Sequence, residues 1–257
     1  MMHRPDRWLR AAIVGLALAA SPAAAETEPG DFARNVTTHV LIHELAHALI
    51  REFDLPVLGN EEIIADAFAT LYIAQVMPDR AKAIVTDRAR SWIIEAAEFP
   101  GTPDLKGEHP PDARRAYRAV CLLYGFDPES YGDLPSWAGL SDNDAADCAD
   151  AAPEIARSWR RLLTPLMAPD EFETREFRIE YGDSDLTDMV RESGLMEEIG
   201  GEISRFDWHS QITLFFDGCD GGAGWSRSRR TIRLCDSYLQ RFIDQEEAAA
   251  LLEDGLR

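Results

Sequence analysis

The sequence is poor in basic residues for its length. Its 257 residues include 26 Lys and Arg against 46 Asp and Glu, which gives a formal net charge of -20 at pH 7. Nucleic acid is a polyanion that such a chain would repel, and the basic footprint of nucleic-acid binding is missing. We therefore expect no nucleic-acid partner and interpret the acidity as a feature that favours solubility.

The chain also lacks a hydrophobic run long enough to cross a membrane. The apolar run at residues 11–20 is well short of the roughly 20 residues that a spanning helix needs. It follows the Arg-containing residues 1–10 and precedes the small residues 21–25, an order typical of a secretory signal peptide that is cleaved after Ala25. A membrane anchor is the weaker alternative. We expect residues 1–25 to be removed and the mature protein to be periplasmic or secreted, without a membrane span.

The chain has only four cysteines, and no two of them show the close Cys-x-x-Cys spacing of a cysteine zinc site. An exported protein matures in an oxidising compartment, where cysteines are expected to pair. Of the possible pairings, proximity in the sequence favours Cys121 with Cys148 and Cys219 with Cys235. Free buried thiols are the alternative.

Apolar residues make up 46% of the chain, enough for an ordinary core. Apolar periodicity predicts helices over residues 38–53, 61–76, 80–98, 112–123, 153–163 and 186–205. Strands are predicted over residues 174–181, 211–216 and 231–235, with a polar, Gly-rich connection over residues 217–230. We predict one domain from residue 26 to 257 with an α+β fold, helical over residues 31–168 and mixed over 169–257. It should be mainly helical, with a small sheet whose strands come mostly from the C-terminal part.

The sequence His43-Glu44-Leu45-Ala46-His47 carries the chemistry. Residues four positions apart share one face of a helix, so His43 and His47 can bind one metal ion. Glu44 can reach a water on that ion without binding the ion itself. The surrounding helix is otherwise apolar, and burying these side chains would be costly without a metal or other partners. The alternative is a pair of satisfied core histidines with a solvated Glu44.

The next predicted helix offers a third ligand. A catalytic zinc takes three protein ligands and keeps one position for water. Glu62 and Asp66 lie one turn apart on one face, so Glu62 would complete the set and Asp66 would accept the second ring N–H of a ligand histidine. Glu61 is the competing ligand, but it lies five positions from Asp66 and is expected to point elsewhere. The alternative for both carboxylates is a solvated helix start, where the helix dipole favours acidic residues.

His43-Glu44-x-x-His47 followed by Glu62-x-x-Ala65-Asp66 resembles the gluzincin metallopeptidases, which bind zinc through two histidines and a downstream glutamate. A closer similarity is to a bacterial family of predicted metallopeptidases of unknown function. Its segments resemble residues 43–50, 55–59, 62–66, 108–110 with Arg115, 121–125 and 219–235. The resemblance implies a zincin-like fold and a zinc peptidase activity.

The order of the segments departs from that pattern. In most zincins a strand like residues 231–235 precedes the metal helix, whereas here it follows at the far end of the chain. This implies a permuted order, in which the C-terminal strands pack beside the metal helix and complete the sheet that faces the substrate. Ala46 also replaces the glycine usual in the family motif, a change that favours the helix.

Residues and resemblance together predict an exported zinc metallopeptidase with one Zn²⁺ per chain, held by His43, His47 and Glu62. Zinc would lower the pKa of a bound water and polarise the scissile carbonyl of a peptide or protein substrate. Glu44 would take the proton of that water and pass it to the leaving amine.

A second donor should stabilise the developing oxyanion. His109 is the first candidate and Arg115 the second; an ordinary loop histidine and a salt-bridge arginine are the alternatives. His39, one turn before His43, is predicted to be a neighbour rather than a ligand, and His209 has no companion ligand nearby in the sequence.

Two other functions share these residues. One is a zinc hydrolase that acts on a non-peptide amide, such as one in the cell wall. The other is a zinc-binding protein without turnover, against which the presence of Glu44 argues. The length and shape of the substrate groove would separate a peptidase from the first of these.

Overall fold

Helices form the larger, first part of the fold. The computed structural model describes residues 30–98, 107–168, 177–252 and 254–256. The predicted signal peptide and part of the predicted loop before α4 lie outside these ranges. The first part comprises α1 Asp31–Glu52, α2 Glu61–Val76, α3 Pro78–Glu98, α4 Asp112–Phe126, α5 Leu134–Ala138 and α6 Asp142–Leu163, followed by a 3₁₀ turn at Thr164–Leu166.

The described strands come late and form one mixed sheet. They are β1 Phe177–Tyr181, β2 Ile212–Asp217, β3 Ala223–Ser226 and β4 Thr231–Cys235, in the spatial order β1-β2-β4-β3. β1, β2 and β4 are parallel, whereas β3 pairs antiparallel with β4. The accompanying helices are α7 Thr187–Glu192, α8 Leu195–Ile203, α9 Asp236–Asp244 and α10 Glu246–Ala250. The predicted α+β fold, mainly helical with a small C-terminal sheet, is confirmed.

Helix α1 is the central element and is buried along nearly its whole length. Helices α2 and α3 pack against it from the first part of the chain, and α8, α9 and β3 pack against it from the C-terminal part. The hydroxyl groups of Thr37 and Thr38 donate to the carbonyl oxygens of Ala33 and Arg34, so these buried polar groups are satisfied within the helix. The histidines of α1 must likewise find partners in the protein or in a site within it.

Local sequence explains where α1 ends and α2 begins. Pro56 disfavours helical geometry at Leu55, and Asp54 adopts a positive φ of 49° just after the helix. The side chain of Asn60 accepts a hydrogen bond from the backbone N–H of Ile63 at 3.0 Å, as an N-cap does. This cap starts α2 at the residue that the sequence predicted.

The prediction of a connection without a strand over residues 217–230 is wrong, because this segment contains β3. Ala223 pairs with Leu234, and Ser226 pairs with Thr231. The segment lacks the alternation of apolar and polar residues typical of a strand, and its glycines have low strand propensity. The strand conformation of residues 223–226 is therefore stabilised by pairing with β4 and not by local sequence preference. Because β3 lies at the edge of the sheet, one of its sides has no strand partner among the described residues.

Several predicted helices have different bounds. Helix α1 begins at Asp31 rather than at residue 38, and α4 ends at Phe126 rather than at residue 123. The helix predicted over residues 186–205 is divided at Gly194, whose φ of 66° is left-handed, into α7 and α8. The helix predicted from residue 153 is the second half of α6, which begins with a capping box between Ser141 and Asp144. Pro153 indicated a helix start because proline suits the first turn, but here it lies inside the helix.

Two disulfides join the pairs that proximity in the sequence favours. Cys121 binds Cys148, with 5.2 Å between their Cα atoms, and ties α4 to α6. Cys219 binds Cys235, with 4.9 Å between their Cα atoms, and closes the hairpin of β3 and β4. No cysteine in the described ranges is free. None of the helices described is long and apolar enough to cross a membrane.

Candidate metal centre

Two histidines of α1 face the first turn of α2. His43 Nε2 lies 3.1 Å from Glu62 Oε2, and His47 Nε2 lies 3.4 Å from Glu62 Oε1. The two Nε2 atoms are 3.1 Å apart. Two nitrogens and one carboxylate from neighbouring helices thus converge on one point.

The opposite ring nitrogens are each held by a carboxylate. His43 Nδ1 lies 2.9 Å from Asp66 Oδ1, and His47 Nδ1 lies 2.9 Å from Glu61 Oε1. An ionised carboxylate only accepts hydrogen bonds, so each Nδ1 carries a proton and each ring turns its Nε2 toward Glu62. Two ring nitrogens and a carboxylate that face one another at this distance need a proton or a metal cation between them.

The spacing of these three groups fits a tetrahedral metal ion. Zinc binds histidine nitrogen and carboxylate oxygen at about 2.0–2.2 Å, which places neighbouring tetrahedral ligand atoms about 3.3 Å apart. The two Nε2 atoms are 3.1 Å apart, and they lie 3.1 and 3.4 Å from Oε2 and Oε1 of Glu62, respectively. Imidazole and carboxylate donors also suit zinc among the common metals. The donor set therefore fits the ion that the sequence predicts.

A third histidine reaches the same carboxylate from a loop. His109 Nε2 lies 2.9 Å from Glu62 Oε2, and the ligand atoms of His43, Glu62 and His109 all lie within 4.8 Å of one another. Asn60 Nδ2, on the cap of α2, donates to the carbonyl oxygen of Glu108 at 2.9 Å and so holds this loop near the cluster. The structure therefore contains two overlapping ligand sets, which share His43 and Glu62.

His47 and His109 differ in how firmly they are held. The side chain of His47 is 13% exposed and its second ring nitrogen is bound to Glu61. The side chain of His109 is 51% exposed, and no described residue binds its Nδ1. Because ligand histidines nearly always donate their second N–H to a partner, His47 has the properties of a ligand, whereas His109 lacks this second contact among the described residues.

The prediction that Glu61 points away from the cluster is wrong, because its carboxylate binds His47. Besides His47, it binds Arg51 of α1, with 2.6 Å between Arg51 Nη2 and Glu61 Oε2. The prediction compared Glu61 only with Asp66 on the same helix and did not consider where each histidine of α1 meets α2. Arg51, four positions after His47, was the available signal that a carboxylate approaches this face.

Arg115 of α4 holds Asp66 in place. Its Nε and Nη2 donate to the two carboxylate oxygens of Asp66, both at 2.8 Å, and its guanidinium lies 4.7 Å from the ring centre of Trp92. Burial alone would raise the pKa of Asp66, but hydrogen bonds from Arg115 and His43 hold it well below its usual range. The bidentate contact fixes Asp66, which in turn fixes the ring of His43.

The cluster favours positive charge. Burial alone lowers the pKa of His43, but hydrogen bonds to Asp66 and Glu62 outweigh it and raise this pKa to about 9. The pKa of His47 is raised against burial in the same way, chiefly by Glu62. Burial would raise the pKa of Glu62, but hydrogen bonds from three histidines, His109 first, lower it. Without a metal, His43 holds an extra proton at the place that a cation would take.

Glu44 lies beside the cluster, and its carboxylate has no hydrogen-bond or ion-pair partner in the described part of the chain. The residue is 8% exposed and lines the cavities on both sides of the cluster. No hydrogen bond or ion pair joins its side chain to any described residue. A carboxylate kept free in a largely buried position is costly for folding, and it is the state required of a general base.

The two remaining histidines of the described chain stay outside the cluster. His39 is buried, with Nε2 3.4 Å from the hydroxyl of Thr70 and its ring edge against Trp92. Burial lowers the pKa of His39 well below its usual value, so this ring is neutral. The ring of His209 packs at 5.1 Å from that of Phe53.

Two cavities meet at the cluster. The smaller, about 380 Å³, extends toward α3 and α9, and the larger, about 520 Å³, extends over the start of α2. Glu44, His109 and Ala223 line both cavities. Strand β3 therefore lies along both, so the C-terminal sheet borders the cleft.

A carboxylate without a partner beside a cluster of histidine and carboxylate ligands is the arrangement of a metal-dependent hydrolase. The chain belongs to a family described as "putative metallopeptidase", whose model matches residues 16–163. That match ends with α6 and includes His43, Glu62 and His109. Comparisons with curated proteins and with solved structures found no match.

Proposed function

We propose that this chain is an exported zinc peptidase in which His43, His47 and Glu62 hold the ion and Glu44 is the general base. The carrying observation is that the Nε2 atoms of His43 and His47 and the Glu62 carboxylate converge beside Glu44, whose carboxylate has no hydrogen-bond partner among the described residues. A zinc ion there supplies a Lewis acid that polarises the scissile carbonyl and acidifies water. The two disulfides support export, because such bonds persist in oxidising compartments.

The protein residues divide the remaining work. Glu44 accepts the proton of the attacking water and returns it to the leaving amine. Asp66 and Glu61 keep the two ligand rings oriented with Nε2 toward the ion. His109, which is exposed and has no described partner at Nδ1, is the donor for the developing oxyanion. Arg115 is a positioning residue in this proposal, since its guanidinium is bound to Asp66.

A peptide substrate is favoured by the position of β3. One edge of this strand has no strand partner among the described residues, and Ala223, Gly224 and Trp225 line the larger cavity. An extended peptide can add to such an edge through backbone hydrogen bonds. Cavities on both sides of Glu44 also provide room for substrate residues on both sides of a scissile bond.

The test uses the mature chain purified without chelators. We expect one zinc per chain in the wild type and in Glu44→Gln, and cleavage of a mixed peptide library by the wild type only. Glu192→Gln is the matched control, since it removes the same charge from an exposed position on α7. A wild type without zinc would refute the metal site. Stoichiometric zinc without peptide cleavage would refute the peptidase activity and direct attention to other amides.

A further inference from the structure

The smaller cavity concentrates arginine in an otherwise acidic protein. Arg88, Arg115 and Arg241 line it, against two carboxylates, those of Glu44 and Asp66. The larger cavity has the opposite balance, with one arginine against four glutamates. Because the whole chain has 26 basic and 46 acidic residues, the local excess of arginine does not follow from composition.

Arg88 is weakly paired for a buried cation. It is 3% exposed, and its bonds to Ser91 at 3.0 Å and Glu95 at 3.4 Å both use Nη1. Its Nε is buried without a partner in the described part of the chain, and its guanidinium lies 4.2 Å from the ring centre of Trp92. Burial of a charge is costly unless it is fully paired, so this guanidinium suits an anion that supplies a further acceptor.

Helix α9 adds two more donors to the same wall. The hydroxyl of Tyr238 binds no described residue, and burial raises its pKa, so it remains a donor at neutral pH. Arg241 lies three positions later on the same face and binds Glu98 at 2.8 Å. Both partners of that ion pair are more than a third exposed, and such surface pairs are weak.

The other basic groups of this wall are not available to a ligand. Arg115 uses its guanidinium to hold Asp66, and His39 is neutral. His43 and His109 also line the cavity, but their Nε2 atoms contact Glu62. The volume of about 380 Å³ is near the lower end of the range of about 300–1,000 Å³ for ligand pockets. It suits one amino-acid residue rather than a larger group.

We propose that the smaller cavity is the subsite for a carboxylate of the substrate, which Arg88, Tyr238 and Arg241 bind beside the metal cluster. The proposal rests on the proposed peptidase function and specifies its substrate class, peptides with an acidic residue or a free C-terminus next to the scissile bond. The two sources share one chemistry, so the experiment separates them.

The experiment starts from a peptide that the zinc-loaded wild-type chain cleaves in the library. That peptide is resynthesised with Glu or Gln at each position next to the scissile bond, and truncated there with a C-terminal acid or amide. We expect kcat/KM to favour the carboxylate over its amide by about tenfold in one of the two arms, the size expected for hydrogen bonds to a charged group. A ratio at or below one in both arms would overturn the proposal while leaving the peptidase activity intact.

Variants locate the effect. Arg88→Met, Tyr238→Phe and Arg241→Gln should each lower the acid-to-amide ratio, with Arg88→Met bringing it close to one. Arg233→Gln is the control, since it removes an exposed arginine of β4 that does not line the cavity. If Arg88→Met does not fold, the other two variants decide. Unchanged ratios in both would contradict the assignment.

A binding measurement tests the subsite even if the chain has no peptidase activity. If the wild type cleaves no peptide, calorimetry on the zinc-loaded chain compares succinate with succinamide. Succinate binding that weakens about tenfold in Tyr238→Phe and Arg241→Gln, but not in Arg233→Gln, supports the subsite by the same hydrogen-bond argument. Equal binding by all four proteins overturns it.

Discussion

The first and the last parts of the chain contribute different things to one cleft. The candidate ligands and the base lie on α1, α2 and the loop before α4, whereas β3 and α9 contribute walls. The family match likewise covers residues 16–163 and stops before the sheet. In the proposed function, the chemistry therefore depends on a pair of adjacent helices, while the surface that would select the substrate depends on packing between distant parts of the chain.

The largest expected effect is on the rate when the base is removed. Glu44→Gln should lower kcat/KM by about 10²–10⁴-fold, because the side chain no longer accepts the proton of water. Its zinc content should equal that of the wild type. Steady-state kinetics and metal analysis of the same samples check this. Loss of zinc in Glu44→Gln would mean that the residue belongs to the ligand set and not to catalysis alone.

The ligand assignment predicts unequal losses of zinc affinity from neighbouring glutamates. Glu62→Ala removes a ligand and should weaken zinc by more than the roughly 10–100-fold that outer partners of ligands contribute. Glu61→Ala frees the second nitrogen of His47 and the side chain of Arg51 but removes no ligand atom, so its loss of affinity should stay within that range. Competition titrations with a chelator measure both. Equal losses would show that the third ligand is assigned wrongly.

The two overlapping ligand sets predict a contrast between histidines. His47→Ala should weaken zinc about as much as Glu62→Ala, whereas His109→Ala should leave most of the affinity and lower kcat. The reason is that His47 is held at both ring nitrogens and His109 at one. The same chelator titrations, with kinetics at saturating substrate, provide the readout. A larger loss of zinc from His109→Ala would assign the ion to the other set.

Removing the late disulfide tests whether the C-terminal part supplies only walls. Cys219→Ser with Cys235→Ser should lower the free energy of unfolding by about 2–4 kcal/mol, the usual cost of losing such a bond. Zinc affinity should remain at the wild-type level, while peptide cleavage falls because β3 loses its anchor. Denaturant unfolding and zinc titration check this. A parallel loss of zinc affinity would contradict the division between chemistry and walls.

The last prediction concerns pH, which changes no side chain. In the metal-free chain the pKa of His43 is raised from 6.5 to about 9, so its proton stabilises the fold fully below pH 6.5 and this contribution disappears as the pH rises through about 9. Zinc must displace that proton, so its affinity should rise with pH across this window by at most about tenfold per unit. Zinc titrations from pH 6.5 to 9 measure the slope. A flat profile would mean that His43 is not protonated in the metal-free protein.

Sequence reasoning succeeded where a feature is set within one element. It predicted the bounds of α2, because Asn60 caps its start and Pro78 begins the next helix. It missed β3 because that strand exists through its pairing with β4 and not through its own residues. It also missed the first half of α6, where Pro153 gave a misleading start signal.

The local sequence was sufficient to bring His43, Glu44 and His47 together, because a spacing of four residues is a property of one helix. The packing of α2 against α1 determines which carboxylate binds which histidine. The contact between His47 and Glu61 therefore appears only in the folded chain. The cavity that joins α3 to α9 arises likewise from packing between segments far apart in the sequence. No periodicity within a single element encodes such a distance.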